Sequence, residues 1–190
     1  MSLKHVILVL LNKKPGSGYD LVQRFNSGLG NFWNASHQQV YQELKKLHKE
    51  RLVEFEVEAQ SARPDKKVYR ITKSGQRRLK TWLAEPAKPP RVNDALLVKV
   101  FGAQPAEIPA LVKELDRHIE LRRKNLARYL QMEQPYFEQD SATRHEYRLP
   151  YLTLRRGIRY ERDWIEWLTE TRELLAKDQL PAKPVLQTRR

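Results

Sequence analysis

The strongest constraint in this chain is the stretch Ser36–Ile71, where the hydrophobic period changes from that of a helix to that of a strand within a few residues. The run SHQQVYQELKKLHKE repeats its apolar residues at helical spacing. Ser36 is placed to cap it, and Gln39 three residues on completes a capping-box pattern. LVEFEVE then alternates from Val53 on, so Val53, Phe55 and Val57 share one face and Glu54, Glu56 and Glu58 the other. A basic turn, AQSARPDKK, leads into a return strand, Lys67–Ile71. A two-stranded ribbon is marginal by itself. Its strands are therefore expected to pack on helices through Val53, Phe55 and Val57.

The flanking segments supply those helices. Leu3–Leu11 reads as a buried first helix, ended by Lys13-Lys14-Pro15-Gly16. Ser17 can cap a second, from Gly18 to about Asn26, with Leu21, Val22 and Phe25 inward. A turn follows, Phe32-Trp33 reads as an aromatic plug between helices, and Thr72 caps a fourth helix through Leu83. Helices followed by a ribbon with a cationic tip are the order of a winged helix-turn-helix. Pro86, Pro89 and Pro90 then forbid a continuous helix and mark a hinge. Beyond it the pattern is helical over Asp94–Phe101, from Pro105–Pro109 to about Met132, and over Tyr151–Ala176, with Pro150 in the first turn of the last. The expected fold is mainly α with a small β-hairpin. It comprises a winged helix-turn-helix head (1–85), a Pro-rich hinge (86–90), a helical C-terminal dimerisation domain (91–176) and a disordered tail (177–190).

Charge narrows the partner. The chain of 190 residues carries a formal net charge of +13, unevenly spread. Residues 1–90 hold 17 Lys and Arg against 8 Asp and Glu, whereas residues 91–190 hold 19 against 15. Such an excess points to a polyanion, either nucleic acid or an anionic membrane surface, with a merely basic soluble protein as the plain alternative. The absence of cysteine excludes disulfides, thiolate metal sites and cysteine catalysis. Val6–Leu11 is short for a signal-peptide core, and no apolar stretch approaches the roughly 18–20 residues of a membrane span. A soluble, cytoplasmic protein with no membrane partner is expected. The histidines, at 5, 37, 48, 118 and 145, show no metal-ligand spacing, and Gly28-x-Gly30 lacks the lysine of a phosphate loop. No acid/base pair stands out, so neither an enzyme nor a cofactor is expected.

On a wheel of about 100° per residue, Val40, Leu44 and Leu47 converge on one side of the third helix. Gln38, Gln42, Lys45, Lys46 and Lys49 collect opposite, His37 and Tyr41 lie at the edge, and Glu43 sits beside the apolar stripe. A glutamine amide can bond bidentately to adenine in the major groove, and lysines reach guanine edges or phosphates. His37, Gln38, Tyr41 and Gln42, near the N-terminal end, would go deepest, while Lys45, Lys46 and Lys49 neutralise backbone charge. In the turn, Arg63 suits a minor groove, Lys66 a phosphate, and Lys67 adds charge. Ser17, Gly18 and Tyr19, at the start of the second helix, could add backbone N–H contacts to a phosphate. An ordinary solvated helix face and hairpin tip, and a buried Tyr19, are the alternatives.

The last helix carries two apolar lines, Tyr160, Trp164, Trp167, Thr171 and Leu174, and Leu154, Ile158, Ile165, Leu168 and Leu175. The middle helix carries one, Leu111, Leu115, Ile119, Leu126 and Leu130. A helix apolar on two sides needs more than one partner. A homodimer closed by Leu154, Ile158, Trp164, Ile165, Trp167 and Leu168 meets that need. An intramolecular helical hairpin is the alternative, and a ligand pocket at Tyr160, Trp164 and Trp167 a third reading.

Gly18-Tyr19-Asp20-Leu21, Phe32-Trp33, Tyr41-x-x-Leu44-x-x-Leu47, Leu52-Val53, Arg63-Pro64-Asp65-Lys66-Lys67-Val68-Tyr69 and Ile71-Thr72-x-x-Gly75 resemble the PadR family of transcriptional regulators. The run Trp33–Tyr41, with Leu152–Arg156 and Trp164-Ile165-x-Trp167, is similar to its AphA-like, virulence-activator branch. The resemblance is dense over residues 1–85 and loose beyond. It implies a homodimeric, cytoplasmic regulator that binds double-stranded DNA at an inverted-repeat operator. Some members also bind small aromatic ligands, so an effector of unknown identity is a second reading, and a non-sequence-specific nucleic-acid-binding protein a third. One departure is Arg51, where the family often has glycine. Arginine adopts the left-handed conformation at a cost of roughly 1 kcal/mol. The end of the third helix is therefore expected to be shaped differently.

Overall fold

The computed structural model describes residues 3–24, 35–59, 65–89, 93–140, 143, 145 and 147–177. Phe25, Phe32, Trp33, Arg63 and the tail from residue 178 lie outside them. The chain divides into two compact units, Met1–Pro90 and Arg91–Arg190.

In the first unit α1 (Leu3–Lys13) is followed by β1 (Gly16–Ser17) and α2 (Gly18–Arg24). Next come α3 (His37–Lys49), β2 (Val53–Glu58), β3 (Lys66–Ile71) and α4 (Lys73–Ala84). The core is one cluster: Ile7, Leu8 and Leu11 of α1, Leu21 and Val22 of α2, Val40, Leu44 and Leu47 of α3, Val53, Tyr69 and Leu79. The hairpin pairs antiparallel with Val53 opposite Ile71 and Phe55 opposite Tyr69. A third strand adds to it, since Gly16 and Ser17 pair with Tyr69 and Val68 in the order β1-β3-β2. Two residues have no period, so the sequence pattern could not announce this strand. The expected packing of Val57 is not found: it is 54% exposed. It shares the alternation of Val53 and Phe55, but burial falls off along β2 from buried Val53 through half-buried Phe55 to exposed Val57.

The joint between α3 and the hairpin is set by backbone hydrogen bonds. Ser36 and Gln39 form the full capping box at the start of α3. At its end the Arg51 N–H donates to the His48 carbonyl and the Leu52 N–H to the Leu47 carbonyl, both at 2.9 Å. Arg51 sits at φ 57°, in the left-handed region. This is the glycine-type termination, completed by an arginine. The expectation of a differently shaped helix end is thus corrected: the bonds that close the helix outweigh the side chain's steric cost. The Thr72 hydroxyl locks the corner, donating to the Arg51 carbonyl at 2.8 Å and accepting the Gly75 N–H at 3.1 Å. A Cβ on Gly75 would lie 2.1 Å from the Leu52 carbonyl oxygen, so this close approach admits only glycine.

The second unit has α5 (Ala95–Gly102), a 3-10 turn at Pro105–Glu107, α6 (Ile108–Glu138) and α7 (Arg148–Lys177). Helix α6 runs past the expected end at Met132 and through Pro135, with Tyr136 and Phe137 set against the Tyr151 ring of α7. Pairs between Asp116 and Arg172, Arg122 and Glu161, and Glu133 and Arg155 run in opposite order along the two helices, which are therefore antiparallel. The seam of α6 drifts from the simple apolar line: Tyr129 is 3% exposed and Leu130 37%. Two buried acids sit in it. Glu161 lies 3.4 Å from the Arg122 guanidinium, which also stacks over the Tyr160 and Trp164 rings, and Glu133 lies 3.1 Å from Arg155.

This seam corrects part of the dimer assignment. Leu154, Ile158 and Leu168 are buried within their own chain, Leu154 and Ile158 with Tyr129 and Leu168 with Leu111, Leu115 and Ile119. The intramolecular hairpin, the alternative in the sequence, is what covers them. Trp164, Ile165 and Trp167 are half-buried. Tyr160, Trp164 and Trp167 pack edge to face against one another. Among the described residues no helix is long and apolar enough to cross a membrane.

Candidate nucleic-acid interface

Helix α3 presents two chemically opposite sides. Val40, Leu44 and Leu47 are sealed in the core, which fixes the helix's rotation. His37, Gln38, Tyr41, Gln42, Lys45, Lys46 and Lys49 are consequently exposed. Glu43, half-buried, is 3.7 Å from Lys46, but that lysine side chain is 68% exposed and the pair is weak. The outer face therefore offers amides toward its N-terminal end and ammonium groups toward its C-terminal end.

A groove of about 610 Å³ runs beside this face, between α2, α3 and β3. It is lined by Tyr19, Tyr41, Lys45, Lys66 and Lys67, with Tyr69 at its floor. The structure thus brings six of the sequence-predicted site residues, these five and Ser17, into one concavity. Tyr19 is 58% exposed, so its buried alternative is excluded. The Tyr41 ring lies directly over Gly18, where a Cβ would come within 2.4 Å of it; the absent side chain is what admits the ring. Burial, and after it the neighbouring Tyr41, push the Tyr69 phenol up, so it stays neutral. The Lys67 ammonium lies 4.6 Å from the centre of the Phe55 ring.

Two assignments change. Ser17 is buried; its N–H donates to Asp20 at 2.9 Å and its hydroxyl accepts the Asp20 N–H at 3.2 Å. This reciprocal cap of α2 spends the Ser17 backbone N–H on Asp20, so that N–H is not offered to a phosphate. Lys66 is not a free cation either, since its ammonium is 3.1 Å from the Asp20 carboxylate. Asp20 was not among the expected site residues. The Ser17-x-x-Asp20 spacing is that of a cap and was visible in sequence, whereas the contact with Lys66 spans the fold and was not. Arg63 lies outside the described residues.

Residues 7–81 match the "Transcriptional regulator PadR-like family" and residues 92–176 the "Virulence activator alpha C-term" domain. A protein named as a probable transcriptional regulator of Mycobacterium tuberculosis is 38% identical over 185 residues, covering 92% of this chain and 98% of its own. The chain belongs to the PadR family of transcriptional regulators. Among solved structures, the Vibrio cholerae virulence activator AphA matches with a TM-score of 0.73 at 34% identity, covering 94% of this chain and 100% of that one. Bacillus subtilis PadR in complex with operator DNA matches with a TM-score of 0.74 at 28% identity, covering 91% and 98%. That Bacillus protein has also been solved in complex with p-coumaric acid. The PadR-type fold accordingly spans both units: a winged helix-turn-helix head and a helical second unit.

Proposed function

We propose that this PadR-family chain acts as a homodimer on an inverted-repeat operator in double-stranded DNA, in the cytoplasm, by binding and not by catalysis. The head (1–85) would read DNA, residues 86–90 would serve as the hinge, and the helical unit (91–176) would dimerise. The observation that carries this reading is the face of α3, where exposed glutamines and lysines stand opposite a sealed apolar stripe. In this reading Gln38 and Gln42 meet base edges, with His37 and Tyr41 beside them. Lys45, Lys46, Lys49 and Lys67 meet phosphates and fix the register. The operator complex of the Bacillus relative supports the assignment.

Selection of bound fragments from random DNA tests it, with an inverted repeat whose half-sites lie about one helical turn, or a multiple, apart as the expected result. On that operator Gln42→Ala is expected to cost about 1–3 kcal/mol and to relax one base position. Equal losses on operator and random DNA would remove Gln42 from base reading. No enriched motif at all would favour a non-specific nucleic-acid-binding protein. A second reading, gating by a small aromatic effector, is favoured by the p-coumaric acid complex of the Bacillus relative. A shift in operator affinity on adding phenolic acids is its expected sign, and no shift across a broad panel counts against it.

A further inference from the structure

The groove beside α3 holds one acid in position to act on a lysine facing DNA. Asp20 accepts the Ser17 N–H at 2.9 Å and is 3.1 Å from the Lys66 ammonium through the same oxygen. The first contact fixes the carboxylate at the start of α2, so its position is independent of Lys66. The second ties the base of the hairpin, where Lys66 begins β3, to that fixed point. Asp65 also lines the groove, but the ion pair of Lys66 is with Asp20. The Ser17 N–H, and after it Lys66, hold the Asp20 carboxyl below the usual carboxylate range against its partial burial. It is ionised at neutral pH.

We propose that Asp20 is a positioning residue for DNA binding: it clasps Lys66, anchors the hairpin to α2, and withholds that one positive charge from the phosphate backbone. The proposal rests on the DNA-binding reading above. It reverses the role that the residue type alone suggests for Lys66. Affinity for random DNA comes almost entirely from phosphate neutralisation. A lysine held by a carboxylate lowers that sequence-independent part and leaves the glutamine face untouched.

The salt dependence of binding separates this role from a merely structural one. Each phosphate neutralised contributes a slope of about −0.9 in log K against log salt. Asp20→Asn keeps an acceptor for the Ser17 N–H and removes the charge that holds Lys66. Its slope on random duplex DNA is expected to steepen by about one phosphate, with affinity rising several-fold at low salt. The double variant Asp20→Asn/Lys66→Ala, which like the wild-type pair leaves no net charge at this point, is expected to keep the wild-type slope. Thermal unfolding of each variant verifies that the head remains folded. A flatter slope in the double variant than in wild type would show that Lys66 already neutralises a phosphate, and would overturn the proposal. So would an unchanged slope in Asp20→Asn. Wild-type protein that binds no DNA would instead refute the DNA-binding reading itself.

Discussion

Arg51 is the residue where backbone geometry and residue preference conflict most plainly. At φ 57° it carries a side chain where glycine is favoured, yet three groups depend on that conformation. Its own N–H, the Leu52 N–H and the Thr72 hydroxyl all bond around this corner. Arg51→Gly relieves about 1–2 kcal/mol of left-handed strain and adds about 0.5–1 kcal/mol of unfolded-state entropy cost. The expected net is a gain of about 0.5–1 kcal/mol, read as a raised denaturant midpoint at unchanged m-value. A lower midpoint would mean that the arginine makes a stabilising contact elsewhere. The sequence marked this position as unusual, but the strength of the surrounding bonds emerged only once the corner was folded.

At the scale of elements, the α6–α7 pair carries buried charge in a seam that is otherwise apolar. Burial pushes the Glu161 carboxyl up, and Arg122 opposes that shift without cancelling it. The folded state therefore binds this proton more tightly than the unfolded chain does. The stability it contributes is full below the ordinary glutamate value of 4.5 and is lost as pH rises through the raised folded value. Glu161→Gln should remove that decline from a plot of unfolding free energy against pH just above 4.5. An unchanged decline would assign it to another group. Asp20 works with the opposite sign, since its lowered carboxyl stabilises above its ordinary value and ceases to as pH falls. The helices and their approximate lengths were legible from periodicity alone. The seam was not, because Tyr129, Arg122, Glu133 and Glu161 take their places through pairing with a helix far away in sequence.

At the scale of the whole molecule, the second unit carries apolar side chains that its own helices do not cover. Phe101 of α5 is 93% exposed and Val98 of the same helix 70%. In the homodimer proposed above, a second copy covers such residues. Phe101→Asp is expected to shift the sedimentation mass toward that of a monomer at micromolar concentration without lowering helicity, and an unchanged dimer mass would place the interface elsewhere. Local pattern sufficed for the order of helices and hairpin, the caps at Ser36 and Thr72, the sealed stripe of α3 and the amide-and-lysine face opposite it. All of these follow from local period, capping chemistry and charge, which act over a few residues. It took the folded chain to bring the Thr72 hydroxyl onto the Arg51 carbonyl, to add β1 to the sheet, to turn Leu154, Ile158 and Leu168 toward their own chain, and to set Asp20 on Lys66. Each of those depends on which distant segment comes within contact distance, and local sequence pattern does not encode that distance.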